Sequence, residues 1–176
     1  SPNFYPYYFV GKKIKRVALI HDLVWKLFPE TMERSYRLKM VAFIHYNLKR
    51  TSFLLANSEN TKKDFLEVFG PKKNIYVTPL AADKNLYKPA GKKKIDEIKS
   101  KYSIKGKYLI SVCTLEPRKN LETLINTFAL LKQHNYVLVL VGEIGWIDNS
   151  FFDNLDILMI REKVIITGYV AREDLP

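Results

Sequence analysis

The sequence predicts an α/β fold of short parallel strands joined by crossover helices, on three observations. Six apolar runs, at 17–20, 53–57, 75–79, 108–113, 137–141 and 164–167, are rich in Val, Ile and Leu and bounded by polar residues. They are continuous rather than alternating, which suits strands covered on both faces. Between most of them the apolar residues take helical spacing, at 31–50, 60–69, 94–102, 120–133 and 149–162. Boundary residues agree with these elements. Ser58 or Asn60 suits the N-cap of the helix from 60, Asn120 that of the helix after it, and Asp148-Asn149-Ser150 offers another before the helix near 151–162. Gly70-Pro71 should end one helix and His134-Asn135 another. The stretch 81–94 has no period and contains Pro89 and Gly91, so it reads as a linker between 1–80 and 95–176, with three strands on either side. Residues 171–176 look like the opening turn of another helix, and the first strand follows an irregular aromatic lead-in.

Composition narrows the function. Of 176 residues, 47% are hydrophobic and 27% charged, a globular balance that argues against a disordered or fibrous chain. The single cysteine, Cys113, excludes an intrachain disulfide and a multi-cysteine zinc site. No apolar run reaches the ~18 residues of a membrane span, and the aromatics before the first basic cluster stand in the wrong order for a signal peptide. These features create the expectation of a soluble, cytoplasmic protein. The net charge of +11 is uneven: residues 1–107 hold 23 Lys and Arg against 9 Asp and Glu, the remainder 6 against 9. A basic half suits an anionic partner. The lysines at 62–63, 72–73 and 92–94 nevertheless fall in pairs and runs between apolar positions, as solvated faces do. No RRM, KH or zinc-finger signature accompanies them, so nucleic acid is not the expected partner.

The strongest local feature is SVCTLEPRKN at 111–120, which follows a strand and opens a helix. Arg118 and Lys119 lie where a helix offers free backbone N–H groups and the positive end of its dipole, a good setting for phosphate. Ligands of open α/β sheets collect at the carboxyl ends of strands. The plainer reading is a surface turn with two solvated cations. Cys113 stands where a glycine would permit close backbone approach. The next strand ends in Gly142-Glu143-Ile144-Gly145-Trp146, a pattern most simply explained as a tight turn, and the third in Gly168-Tyr169-Val170. Three such strand ends together suggest a nucleotide-sized cleft. His21-Asp22 closes the first strand and could bind substrate or move a proton, with Asp22 orienting the ring; a histidine merely capping a strand end is the bland alternative. His45 and His134 lack an acidic neighbour, which speaks against a metal hydrolase, and no P-loop or Gly-x-Ser-x-Gly is present.

HDLVWKLFPE, LLANSENTKKDFLEVFG, YVTPLAADKNLYKP, YLISVCTLEPRKNLETLINTFALL, VLVLVGEIGW and VIITGYVAREDLP occur in this order. From residue 15 or so to the end, the chain thereby resembles the group 1 glycosyltransferases, retaining enzymes whose GT-B architecture sets two Rossmann-like domains about a cleft. The resemblance implies that 1–80 is the latter part of an N-terminal acceptor domain and 95–176 the first half of a C-terminal donor domain. It implies that Arg118 and Lys119 face the donor diphosphate, that Gly142, Gly168, Tyr169 and Val170 lie near the nucleotide, and that His21 faces the donor sugar. The implied donor is a GDP- or UDP-sugar and the acceptor a glycan or lipid-linked sugar, in cell-surface polysaccharide synthesis. No metal is required: cations stabilise the departing diphosphate.

The family's Gly-rich loop near the N-terminus has no match before residue 15, and its later acidic motif would lie beyond Pro176. The expectation is therefore of the middle of such an enzyme, inactive alone. The alternative is a non-catalytic nucleotide-binding module, completed by self-association or a partner chain. The basic first half would suit contact with the inner face of the membrane, with solvated lysines again the plainer explanation.

Overall fold

A computed structural model describes residues 14–71 and 74–176; the aromatic lead-in up to residue 13 and the Lys72-Lys73 pair lie outside the described residues. The chain divides into two compact units, Ser1–Ala82 and Asp83–Pro176.

In the first unit β1 (Val17–Ile20), β2 (Phe53–Ala56) and β3 (Ile75–Val77) form a parallel sheet in that order, with Leu19 opposite Leu55 and Leu55 opposite Tyr76. The connections hold α1 (Val24–Leu27), α2 (Arg34–Leu48) and α3 (Glu59–Phe69). Alternate strand residues Ile20, Leu54 and Ala56 enter a core shared with Trp25, Ile44 and the fully buried Phe65. Ser58 caps α3 by accepting from Thr61 N–H at 3.1 Å. Gly70 ends that helix at φ 74, a left-handed value that glycine adopts without a Cβ penalty. The short α1 and the 3-10 turn Pro29–Thr31 were not anticipated. VWKL is too brief for periodicity to reveal, and it is held by burial of Trp25.

The second unit contains α4 (Lys92–Lys101), β4 (Lys107–Val112), α5 (Leu121–Ala129), β5 (Tyr136–Val141), α6 (Asn149–Ile157) and β6 (Val164–Gly168). Its sheet, again parallel, has the order β4-β5-β6. The central strand explains why the apolar run is unbroken. Leu138 and Leu140 pack with Ile125, Phe128 and Leu155 on one face, while Val139 and Val141 pack with Ile104 and Val170 on the other. Each such side chain taken from water contributes about 1.5–3 kcal/mol. β4 is an edge strand of its sheet, and its Ile110 and Val112 are 54% and 58% exposed.

Two boundaries differ from the sequence expectation. Lys92–Lys94, read as the end of a linker, form the first turn of α4 behind an extended Gly91. Three cations at a helix N-terminus oppose its dipole, but Lys94 approaches Glu97 at 3.8 Å and Asp174 at 3.7 Å. α5 stops at Ala129 rather than 133, and turns carry the chain through His134.

Asp174 is the clasp of this unit. Its carboxylate, 8% exposed, accepts from Lys101 Nζ at 2.6 Å and Tyr102 Oη at 2.8 Å, tying α4 to the 3-10 turn Arg172–Asp174. The Lys101 bond, then the Tyr102 bond, hold its carboxyl below the usual aspartate range, and the same contact raises Lys101. A lowered carboxyl pKa stabilises the fold fully above the unfolded value near 3.9 and ceases to do so as pH falls through the folded value. Asp174→Asn is therefore expected to lower the melting temperature at pH 7. The difference from the parent should shrink as pH falls below about 4, which a thermal melt series would measure. A constant difference down to strong acid would remove the clasp as its cause.

Candidate functional site

The carboxyl ends of β4, β5 and β6 meet along one edge of the second sheet. β5 leads into Gly142, whose amide donates to Gly168 O at 2.9 Å, so the second and third strand ends are joined directly. On the other side Cys113 N–H donates to Val141 O, and Leu115 N–H to Glu143 O, both at 2.9 Å. The loop after β4 thus runs beside the loop after β5. The approach is very close: a Cβ on Gly142 would lie 2.0 Å from the Cys113 carbonyl oxygen, and one on Gly145 2.9 Å from Thr114 Cγ2. The glycine missing at Cys113 is supplied from across the sheet. Within GEIG, Gly142 and Gly145 are the positions where the loop after β4 leaves no room for a side chain.

Beyond Leu115 the chain makes a 3-10 turn, Pro117–Lys119, and Asn120 turns the corner into α5 at φ 53, ψ 42. Asn120 occupies the expected N-cap position of α5, but its side chain makes no capping bond. A left-handed residue is needed between the two helical segments, and asparagine tolerates that region. The start of α5 is consequently left with no side-chain cap, its first-turn N–H groups directed outward with the positive end of the dipole.

The two cations of this turn differ. Arg118 Nη2 lies 2.6 Å from Glu116 Oε1, and that carboxylate is only 8% exposed. Lys119 is exposed and makes no ion pair among the described residues. Sequence reasoning missed Glu116. Its neighbour Arg118 stands only two positions on, and nothing but the 3-10 turn brings their side chains together. Tyr169 is 76% exposed, whereas the Val170 side chain is 8% exposed, in the core with Val139 and Val141. The Arg118, Lys119, Gly142, Gly168 and Tyr169 positions thus fall on one sheet edge.

His21 belongs to the first unit, at the carboxyl end of β1 and partly exposed. Its backbone carbonyl accepts from Thr61 Oγ1 at 3.1 Å, and the same hydroxyl lies 3.0 Å from Asn57 Oδ1 and 2.9 Å from Ser58 Oγ. The buried Thr61 therefore bolts the ends of β1 and β2 to the start of α3, a role its position inside NSENT does not advertise. Asp22, expected to orient the imidazole, accepts from Val24 N–H at 3.2 Å and so starts α1.

A cleft of about 450 Å³ opens beside the sheet edge, between the first turns of α5 and α6. Asp148 stands at its α6 side, where Ser150 donates to its carboxylate and holds that group below the usual range. Among the described residues no cluster of three or more His, Cys, Asp or Glu could hold a metal ion, and no helix is long and apolar enough to cross a membrane.

Residues 93–176 match the family described as glycosyl transferases group 1. The chain is 27% identical over 182 residues to O-antigen chain mannosyltransferase B of Escherichia coli, covering 100% of this chain and 46% of that protein. It is 25% identical to mannosylfructose-phosphate synthase of Agrobacterium fabrum, over 93% of this chain and 41% of that one. Among solved structures, Anabaena Alr3699/HepE in complex with UDP and glucose superposes with a TM-score of 0.67 at 19% identity, over 89% of this chain and 43% of that one. WaaG, a glycosyltransferase involved in lipopolysaccharide biosynthesis, gives 0.61 at 18%, over 92% and 50%. The structural likeness establishes the shared fold, the GT-B type. The chain spans less than half the length of these two curated relatives.

Proposed function

We propose, on the premise that residues 93–176 of this chain belong to the group 1 glycosyl transferases, that the second unit binds the diphosphate of a nucleotide-sugar donor. The sugar passes with retained configuration to a glycan or lipid-linked acceptor in polysaccharide synthesis. One observation carries this reading: the uncapped start of α5, with Lys119 exposed beside it and in no ion pair among the described residues, is the setting in which a phosphate binds. HepE was solved with UDP and with UDP-glucose, which supports a nucleotide-sugar donor; for this chain the donor is a UDP- or GDP-sugar.

In this reading residues 95–176 are the donor half and residues 1–80 part of the acceptor half. Lys119 and the first-turn amides of α5 draw off the negative charge that develops on the leaving diphosphate, and a site fixed before reaction needs no reorganisation to do so. Arg118, held by Glu116, adds a positioned guanidinium. Gly142 and Gly168 keep the strand ends close and low, so the base and ribose can lie against backbone beside Tyr169 and the main chain of Val170. His21, its main chain fixed by Thr61, is assigned to the donor sugar. The excess of 23 basic over 9 acidic residues in 1–107 supports an acceptor at an anionic membrane surface.

Calorimetric titration of the chain with UDP and GDP tests the donor site. Saturable binding of either, weakened about tenfold or more by Lys119→Ala, is expected, a loss of at least about 1.4 kcal/mol. Absence of binding, or affinity unchanged in the variant, would remove the assignment.

A further inference from the structure

The geometry points to a second binding site in the same unit: the cleft between α5 and α6 takes a neutral saccharide. Its floor is apolar, built from Leu121, Ile125 and Phe151, all of them buried. At its rim stands Trp146, 48% exposed, an aromatic ring of the kind on which the C–H face of a sugar ring can rest. Around it are Asn120, Glu122 and Asn154, whose side chains make no hydrogen bond or ion pair among the described residues. Two carboxamides and a carboxylate offer both donors and acceptors, which is what vicinal hydroxyls require. The volume, about 450 Å³, lies within the ordinary range of small-ligand sites.

Charge decides against the obvious alternative, a nucleotide. No Lys or Arg lines the cleft, although the chain as a whole carries +11; its charged lining residues are Glu116, Glu122 and Asp148. Arg118 pairs with Glu116 and is not among the lining residues, while Asp148 accepts from the Ser150 amide. The surplus is negative, so the lining side chains disfavour a phosphate, and the attraction for one lies in the first-turn amides of α5 and Lys119. The two cations that could attract one stand outside the cleft, in the turn before α5. The unit thereby separates an anion-binding edge from a neutral, hydroxyl-binding cleft. Under the glycosyltransferase reading, on which the biological role rests, the cleft holds a sugar residue of the glycan acceptor, away from the reacting hydroxyl.

Tryptophan emission reads this site directly, because Trp25, the other tryptophan, is buried at 5% exposure. Titration of the intact chain with methyl α-D-mannopyranoside, mannobiose and maltose should give a saturable change in emission with at least one of them, at millimolar concentration. The signal should vanish in Trp146→Phe. Asn154→Ala should weaken binding about fivefold or more. Saturating UDP or GDP should leave the saccharide titration in place. No saturable change with any of the three, in emission or in saturation-transfer NMR of the native chain, overturns the inference. So does affinity unaltered in Asn154→Ala, or displacement by nucleotide, which would make the cleft part of the donor site. Failure of the donor reading is a separate result: nucleotide binding would be absent while the saccharide titration persisted.

Discussion

Gly142→Ala is expected to cost the second unit more than about 3 kcal/mol, and to prevent its folding if the unit is only marginally stable. The added methyl would sit 2.0 Å from the Cys113 carbonyl oxygen and 2.7 Å from its carbon, distances no side-chain rotation can relieve. Backbone must move, and it is held on both sides: Val141 O accepts from Cys113 N–H, and the Gly142 amide donates to Gly168 O. The residue also sits at φ 141, where an L side chain is strained. Two other glycines provide the scale. Gly70 and Gly168 have φ 74 and 70, yet a Cβ on either meets nothing within 4 Å. Alanine there should cost only the left-handed penalty, about 1–2 kcal/mol. Denaturant unfolding of the three variants checks the order. A Gly142→Ala chain within about 1 kcal/mol of the parent would mean that the loop after β4 does not approach β5 as described.

Arg118→Ala and Lys119→Ala should fail in different ways, although they are neighbours of the same charge. Removing the guanidinium strands a carboxylate that is 8% exposed, and a buried charged acceptor without its partner costs about 1–3 kcal/mol or more. The Arg118 variant should therefore unfold at lower denaturant and bind nucleotide more weakly, in part because the turn is disturbed. Lys119 makes no ion pair among the described residues and is exposed, so its loss should leave stability within about 0.5 kcal/mol while nucleotide affinity falls about tenfold or more. Paired measurements of unfolding midpoint and calorimetric affinity separate the two. Equal stability losses in both variants would contradict the assignment of Arg118 to Glu116.

β5 was legible because a strand covered on both faces leaves no polar position inside it, whereas β4 keeps an apolar run although Ile110 and Val112 are exposed. Leu138-Val139-Leu140-Val141 announces itself for that reason. Caps with one preferred geometry were legible too, as at Ser58, Gly70 and Asp148. Asn120 takes its expected N-cap position but without a side-chain bond, because asparagine serves two purposes, capping a helix and adopting the left-handed region, and only the turn before it decides between them. Of the candidate site, the cationic turn and the two glycine-bearing strand ends could be read in order along the chain. Partnerships across it could not. Glu116 with Arg118, Thr61 with the His21 carbonyl, and the cleft that brings Asn120 to Asn154 all depend on how elements lie together, which residue type and spacing do not encode.

The outer side of β4 has a practical corollary. Among the described residues no strand pairs with the outer side of β4, where Leu109, Ile110 and Val112 are exposed and neither proline nor bulge interrupts the row. Such a row is a template for any extended segment that meets it. Dilution therefore becomes a structural variable for this polypeptide. At low concentration the edge is hydrated, and as concentration rises each molecule is increasingly the nearest available strand for another. A lysine at position 110 would act as a gatekeeper, extending the range over which the chain stays in solution and leaving the cationic turn untouched.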